Sequence, residues 1–189
     1  MTEKELLIDC LQRLNRVGIP YMLTGSMVSN FWGIPRSTHD LDFVIQLPEA
    51  SIPALLAEFE SDLMLDEESV RNAFKPPYQF NAIDLRSALK VDFWILQPQP
   101  FEQEMFNHRM RVKLFDEYAW ICTAEDVILH KLHWHSISPS DRQTGDAAGV
   151  VAVQGDKLDR PYLEKWAAEI GVQDTLSDLL TGKISPKQT

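Results

Sequence analysis

Apolar residues at Leu6, Leu7, Cys10, Leu11, Leu14 and Val17 recur with the 3.6-residue period of a surface helix, which predicts a helix over residues 3–17. Gly18 and Pro20 stop it. The pattern then shortens: Tyr21 to Thr24 reads as a strand, Ser26 to Trp32 as a helix ending near Gly33, and residues 40–45 as a buried strand closed by Pro48. Ser51 to Phe59 has helical character, with Pro53 tolerated in the first turn. Residues 66–74 are ambiguous, a short helix being one reading. Phe80–Leu85 and Lys90–Leu96 have strand character and a short joint, the signature of a hairpin. A helix around Glu102–His108 and strand pieces at Arg111–Phe115 and Trp120–Cys122 follow. From Thr123 the chain turns helical. Thr123 and Asp126 have capping-box spacing for a helix to about His135, and further helices are expected at about 141–153, 160–170 and 173–180.

These elements predict an α+β fold: a mixed β-sheet flanked by helices over residues 1–122, then a C-terminal helical portion over 123–182 and a frayed tail over 183–189. Gly145, Ala147, Ala148 and Gly149 predict that the 141–153 helix is weak. There is no internal repeat and no low-complexity tract.

Composition narrows the function. The chain has 189 residues, 44% of them hydrophobic, enough to bury a core without staples. No apolar stretch is long enough for a membrane span, and the acidic amphipathic N-terminus does not read as a signal peptide. Cys10 and Cys122, each inside an apolar pattern, read as buried thiols in a reducing, cytoplasmic setting. The formal net charge of −10 disfavours tracking along long nucleic acid. The longest basic group is His108 to Lys113, and no face is obviously basic; a short RNA end needs only such a local patch.

Two carboxylates stand out. Asp40 and Asp42 alternate along an apolar run, so both face one side of the strand, about 6–7 Å apart. Such a pair can hold divalent cations, or it can cap a strand or face solvent at an edge. Asp92, inside Val91-Asp92-Phe93-Trp94-Ile95, completes a three-carboxylate site if its strand lies beside the first, and is then the candidate general base. Asp84 competes for that role from the other arm of the hairpin, with pairing to an Arg or Lys the simpler expectation.

Gly25-Ser26 sits at a strand-to-helix turn, where a glycine lets backbone approach a phosphate and helix N–H groups with the Ser hydroxyl bind its oxygens. Arg36 and Thr38 can contact phosphate or fix the loop, and a surface salt bridge is an alternative for Arg36. Lys131 borders the apolar face set by Val127, Ile128 and Leu132, placed either to snorkel or to reach a triphosphate. His130, His133 and His135 lack a convincing partner set for a metal and are expected to be structural. Arg142 and Asp146 are candidates for the same cleft.

Taken together, Gly25-Ser26, the run Arg36-x-Thr38-x-Asp40-x-Asp42 and the strand bearing Asp92 resemble the nucleotidyltransferase superfamily of the DNA polymerase β type. The resemblance covers about residues 18–97, and the helical part is similar to that of small bacterial nucleotidyltransferase-like proteins, with Lys131, Arg142 and Asp146 in matching places. It implies Gly25 and Ser26 on the nucleotide phosphates, Asp40, Asp42 and Asp92 on two Mg²⁺ ions, Lys131 as a phosphate contact, and an NTP such as ATP as substrate. The expected activity is transfer of a nucleoside monophosphate to an acceptor hydroxyl on a small molecule, a protein or an RNA end. Antibiotic-modifying enzymes and toxin components, the latter with an antitoxin-like protein partner, are among such proteins. A catalytically idle nucleotide- or partner-binding module and a phosphohydrolase using the same metals are the alternatives.

Overall fold

In the computed structural model, which describes residues 1–186, helix α1 (Glu3–Arg16) begins at a Thr2 capping box and buries Leu6, Leu7, Cys10, Leu11 and Leu14. The strands are β1 (Tyr21–Thr24), β2 (Leu41–Ile45), β3 (Leu63–Met64), β4 (Gln79–Asp84), β5 (Lys90–Ile95), β6 (Met110–Leu114) and β7 (Glu117–Ile121). They form one mixed sheet in the order β3-β4-β5-β2-β1-β7-β6. The remaining helices are α2 (Gly25–Trp32), α3 (Ile52–Phe59), α4 (Glu67–Asn72), α5 (Pro100–His108), α6 (Ala124–Ile137), α7 (Asp141–Gln154), α8 (Arg160–Glu169) and α9 (Gln173–Leu180). The expected α+β fold is the observed one. β3, two residues pairing with the end of β4, and the 3-10 turns Glu49–Ser51 and Gly155–Lys157 have no counterpart in the sequence pattern.

The chain divides into two compact units. The first holds Met1–Thr24 and His39–Ile121, the second Gly25–Thr38 and the chain from Cys122 onward. Gly25–Thr38 belongs to the second unit although it lies between two stretches of the first, and its ties explain why. Trp32 Nε1 donates to the Cys122 carbonyl (3.0 Å), and Gln154 Nε2 donates to the Trp32 carbonyl (2.5 Å). The frayed tail expected over 183–189 is described only to Pro186, where Lys183 pairs with Asp178 (2.6 Å); residues 187–189 lie outside the described residues.

In the first unit, β2, β5 and β4 place Phe43, Phe93 and Phe80 in register, with near-parallel rings and centroids 5.7 and 5.1 Å apart. Phe59 of α3 meets Phe93 edge-on, and these rings are buried. Aromatic contacts of this kind add about 0.5–1.5 kcal/mol each to the burial of the rings. Because side chains alternate, the aromatic face leaves positions 42 and 92 on the other face of the sheet. Arg13, buried on α1, binds Asp9 (2.9 Å), Asp62 and the Glu58 carbonyl, tying α1 to the end of α3.

In the second unit, α6 and α7 pack against each other. Helix α7 runs unbroken over 14 residues, across the small residues of the 141–153 stretch. Its small residues serve packing. A Cβ on Gly33 would lie 2.7 Å from Val150 N and 2.8 Å from the Gly149 carbonyl carbon, so the chain after α2 rests directly on the α7 backbone. Buried Asp126 on α6 accepts from Thr123 Oγ1 (2.7 Å) and Tyr162 Oη (2.7 Å), which joins α6 to α8. No helix among the described residues is long and apolar enough to cross a membrane. Gly33→Ala is expected to cost about 1–3 kcal/mol by overpacking against α7, read as a lower midpoint in chemical denaturation with an unchanged slope.

Candidate functional site

The carboxylates of the first unit come together by register. β2 and β5 run parallel with Asp42 directly beside Asp92, and Thr24 and Asn81 extend the same row on β1 and β4. Asp40 lies one residue ahead of β2, and continuing the register sets it opposite Lys90. Lys90 is two residues from Asp92 and therefore on the same face. Its ammonium lies 2.8 Å from Asp92 Oδ2. The hydrogen bond to Asp92, followed by the charges of Asp92, Asp40 and Asp42, pushes the Lys90 pKa above its ordinary value.

Asp92 is the buried member, with a side chain only 9% exposed. Its Oδ1 is buried with no hydrogen-bond partner among the described residues. Among the described residues no group of three His, Cys, Asp or Glu side chains is placed to hold a metal ion. In this arrangement the cation beside the carboxylates is Lys90.

Asp84, the competitor of Asp92, has another task. Fully buried at the end of β4, it accepts from Arg86 Nε (2.7 Å) and Ser87 Oγ (2.5 Å), as expected of a structural carboxylate. Arg86 reaches on to Asp9 (2.8 Å).

The second unit gathers Ser26, Arg36, Lys131 and Asp146. Gly25 opens α2 with φ +67°, a left-handed conformation that favours glycine whatever the ligand. The Arg36 backbone is clamped by Asn30, whose Oδ1 accepts from Arg36 N (3.0 Å) and whose Nδ2 donates to Arg36 O (2.7 Å). The guanidinium grips Asp146 bidentately, Nε to Oδ1 at 2.6 Å and Nη2 to Oδ2 at 2.8 Å, and Nη2 also donates to Ser26 Oγ at 2.7 Å. Lys131 Nζ donates to Asp146 Oδ2 at 2.8 Å. Thr38 is half-buried in the loop that follows Arg36.

Asp146 is the centre of this group. Its side chain is 6% exposed and that of Lys131 7%. Desolvation pulls the Asp146 pKa upward, but the Arg36 hydrogen bond and the Lys131 charge outweigh it and hold the carboxyl below its ordinary value. Two cations share one carboxylate. Lys131 borders the apolar face of α6 as expected, but its head turns to Asp146 and not to solvent.

Two of the three histidines have partners within this unit. His130 Nε2 accepts from Trp134 Nε1 (2.9 Å), and burial, with the Lys131 charge adding to it, pushes the His130 pKa down to about 3. His135 Nδ1 accepts from the Ser140 backbone N–H (3.0 Å), joining α6 to α7.

No family model matches the sequence, and no curated protein resembles it. Solved structures do match its fold. An antigenic nucleotidyltransferase-like protein from Paracoccidioides brasiliensis aligns with a TM-score of 0.57 at 15% identity, over 98% of this chain and 94% of that one. ANT(2″)-Ia, in complex with adenylyl-2″-tobramycin, aligns at 0.59 and 12% identity, over 90% of this chain and 97% of that one. A nucleotidyltransferase-type protein from Thermotoga maritima aligns at 0.51 and 14%, over 89% and 96%. The fold of this chain is therefore the nucleotidyltransferase fold.

Asp146→Asn removes the carboxylate that Arg36 and Lys131 share and is expected to cost about 3 kcal/mol. Because the native pKa of Asp146 is depressed, its contribution is complete above the ordinary carboxylate range and is lost as pH falls through the lower native value. Denaturation of wild type and variant should therefore differ by a constant amount from pH 5 to 7 and converge below about pH 4; a gap unchanged at low pH would contradict the pairing.

Proposed function

We propose that the chain is a divalent-metal-dependent nucleotidyltransferase that moves a nucleoside monophosphate from an NTP to an acceptor hydroxyl. The observation that carries this reading is the Asp42–Asp92 row with the buried, unpartnered Oδ1 of Asp92. Like charges side by side on neighbouring strands need a cation, and a buried carboxylate oxygen without a donor is costly to keep. The donor set fits a hard divalent ion: all oxygen, from Asp40, Asp42 and Asp92. Mg²⁺, two ions in the fullest form, would supply charge to neutralise the triphosphate there.

The chain's own groups take the other roles. Asp92 accepts the proton of the attacking acceptor hydroxyl. That oxygen bonds to the α-phosphorus as the α–β anhydride bond breaks, and pyrophosphate leaves with its electron pair. Gly25, Ser26, Arg36 and Lys131 would bind phosphate oxygens, and the convergence of Ser26, Arg36 and Lys131 around Asp146 supports that role. Asp146 orients the two cations, and Thr38 belongs to the loop that carries Arg36. The likeness in fold to ANT(2″)-Ia, crystallised with an adenylylated aminoglycoside, supports nucleotidyl transfer as the chemistry.

The Lys90–Asp92 ion pair favours a second reading, an idle module in which lysine has replaced the metal for good. Titration separates the two. Under the enzyme reading Lys90 is a counter-ion that leaves when the divalent ion arrives, so Lys90→Met should bind Mn²⁺ about tenfold or more tightly by calorimetry. Without metal, the same variant should melt below wild type and recover on adding Mg²⁺. Metal binding by neither protein would support the idle module.

Activity is tested with labelled NTPs, Mg²⁺ and a panel of hydroxyl acceptors. Asp92→Asn should slow transfer about 10²–10⁴-fold with the fold intact by circular dichroism. Transfer by Asp42→Asn and Asp92→Asn at the wild-type rate would overturn the mechanism.

A further inference from the structure

The basic group His108 to Lys113, which the proposed chemistry does not use, falls largely on β6 at the outer edge of the sheet. β6 pairs with β7 so that Arg111 lies opposite Trp120 and Lys113 opposite Tyr118. Alternation puts these four side chains on one face of the hairpin, and Val112, Leu114, Glu117 and Ala119 on the other. All four are exposed, Tyr118 by 53% and Trp120 by 37%. Neither strand contributes an acidic residue to that face.

The cations on this face are not spent on carboxylates. Arg109, Arg111 and Lys113 form no ion pair among the described residues. The Arg111 guanidinium lies 4.5 Å from the Tyr118 ring centroid, and that of Arg109 lies 5.2 Å from Trp120 and 4.1 Å from Phe106. Arg109 Nε is buried with no hydrogen-bond partner. The acids nearest in sequence are held elsewhere: Asp116 pairs with Lys4 (3.8 Å), and Glu117 accepts from Gln12 Nε2 (2.7 Å). Arg109 Nη1 donates to the Phe106 carbonyl, but in a chain of net charge −10 a face with three cations outside ion pairs and two exposed rings is a local exception.

We propose that this face of the β6–β7 hairpin docks single-stranded RNA. Tyr118 and Trp120, two residues apart on one strand, are spaced by about 7 Å, which suits successive unstacked bases lying on a sheet surface. Arg111, Lys113 and Arg109 flank the rings, where they meet phosphates, and guanidinium planes also stack on bases. A duplex keeps its bases stacked and offers the rings nothing. An acidic peptide would use the cations and leave the rings idle. The proposal names an acceptor class for the activity proposed above and rests on that reading only for catalysis; docking stands or falls by itself.

The test is fluorescence anisotropy with an end-labelled RNA of about 12 nucleotides and mixed sequence, titrated with the full chain at several salt concentrations. Wild type should bind the single strand, and bind the same sequence as a duplex at least about tenfold more weakly. Tyr118→Ala/Trp120→Ala should weaken binding about tenfold or more at every salt concentration. Arg111→Gln/Lys113→Gln should weaken it and also flatten the log–log salt slope by about 0.7 per lost contact. All these positions are on the surface, and circular dichroism checks the fold of each variant.

No binding at low salt overturns the proposal. So does binding that the aromatic variant leaves intact, or that polyglutamate displaces as readily as unlabelled RNA, since the face is then only a patch of charge. A single-stranded DNA of the same sequence binding far more tightly than RNA also overturns it. Docking without label transfer to the bound RNA would leave the docking face standing and remove RNA as the acceptor of the proposed reaction.

Discussion

Two acidic residues in register on adjacent parallel strands set the terms for this protein. Asp42 and Asp92 are side by side because β2 and β5 pair through five consecutive positions, Leu41 with Val91 to Ile45 with Ile95. That pairing is fixed by the opposite face, where Phe43, Phe93 and Phe80 stack, and a slip of one residue would put the phenylalanines in the carboxylates' place. The core thus holds two like charges together at a cost that a cation has to offset. Lys90 supplies one, and a divalent ion in the same surroundings would supply more charge.

The second unit solves the opposite problem. It brings two cations, Arg36 and Lys131, onto one carboxylate, Asp146, and fixes the Arg36 backbone through Asn30. This group is preorganised, since the side chains that hold one another are half-buried or buried. Preorganised charge is useful for binding phosphate because little reorganisation remains when the ligand arrives. The same rigidity makes Asp146 matter to stability.

The hairpin formed by β6 and β7 has a different character. Its exposed rings and the cations outside ion pairs lie away from the aromatic core, on the outermost strands. The sequence showed the basic residues as a run in which no face was obviously basic, because alternation could not be applied before the partner strand was known. Pairing β6 with β7 put Arg111 and Lys113 with Tyr118 and Trp120 and moved Glu117 to the other face.

The sequence by itself determined the elements and the chemistry types. Periodicity located α1, β1, β2 and the β4–β5 hairpin, because apolar spacing reports directly which face of an element is buried. The Asp-x-Asp alternation and the glycine turn were legible for the same local reason. Tertiary structure decided everything that depends on which strand or helix becomes a neighbour. It paired Asp92 with Asp42 and Asp84 with Arg86, turned Lys131 to Asp146, and kept α7 helical by letting Gly33 rest on its backbone. A carboxylate carries the same letter whether it meets an arginine, a lysine or a metal. Only packing brings the partner that gives it a role.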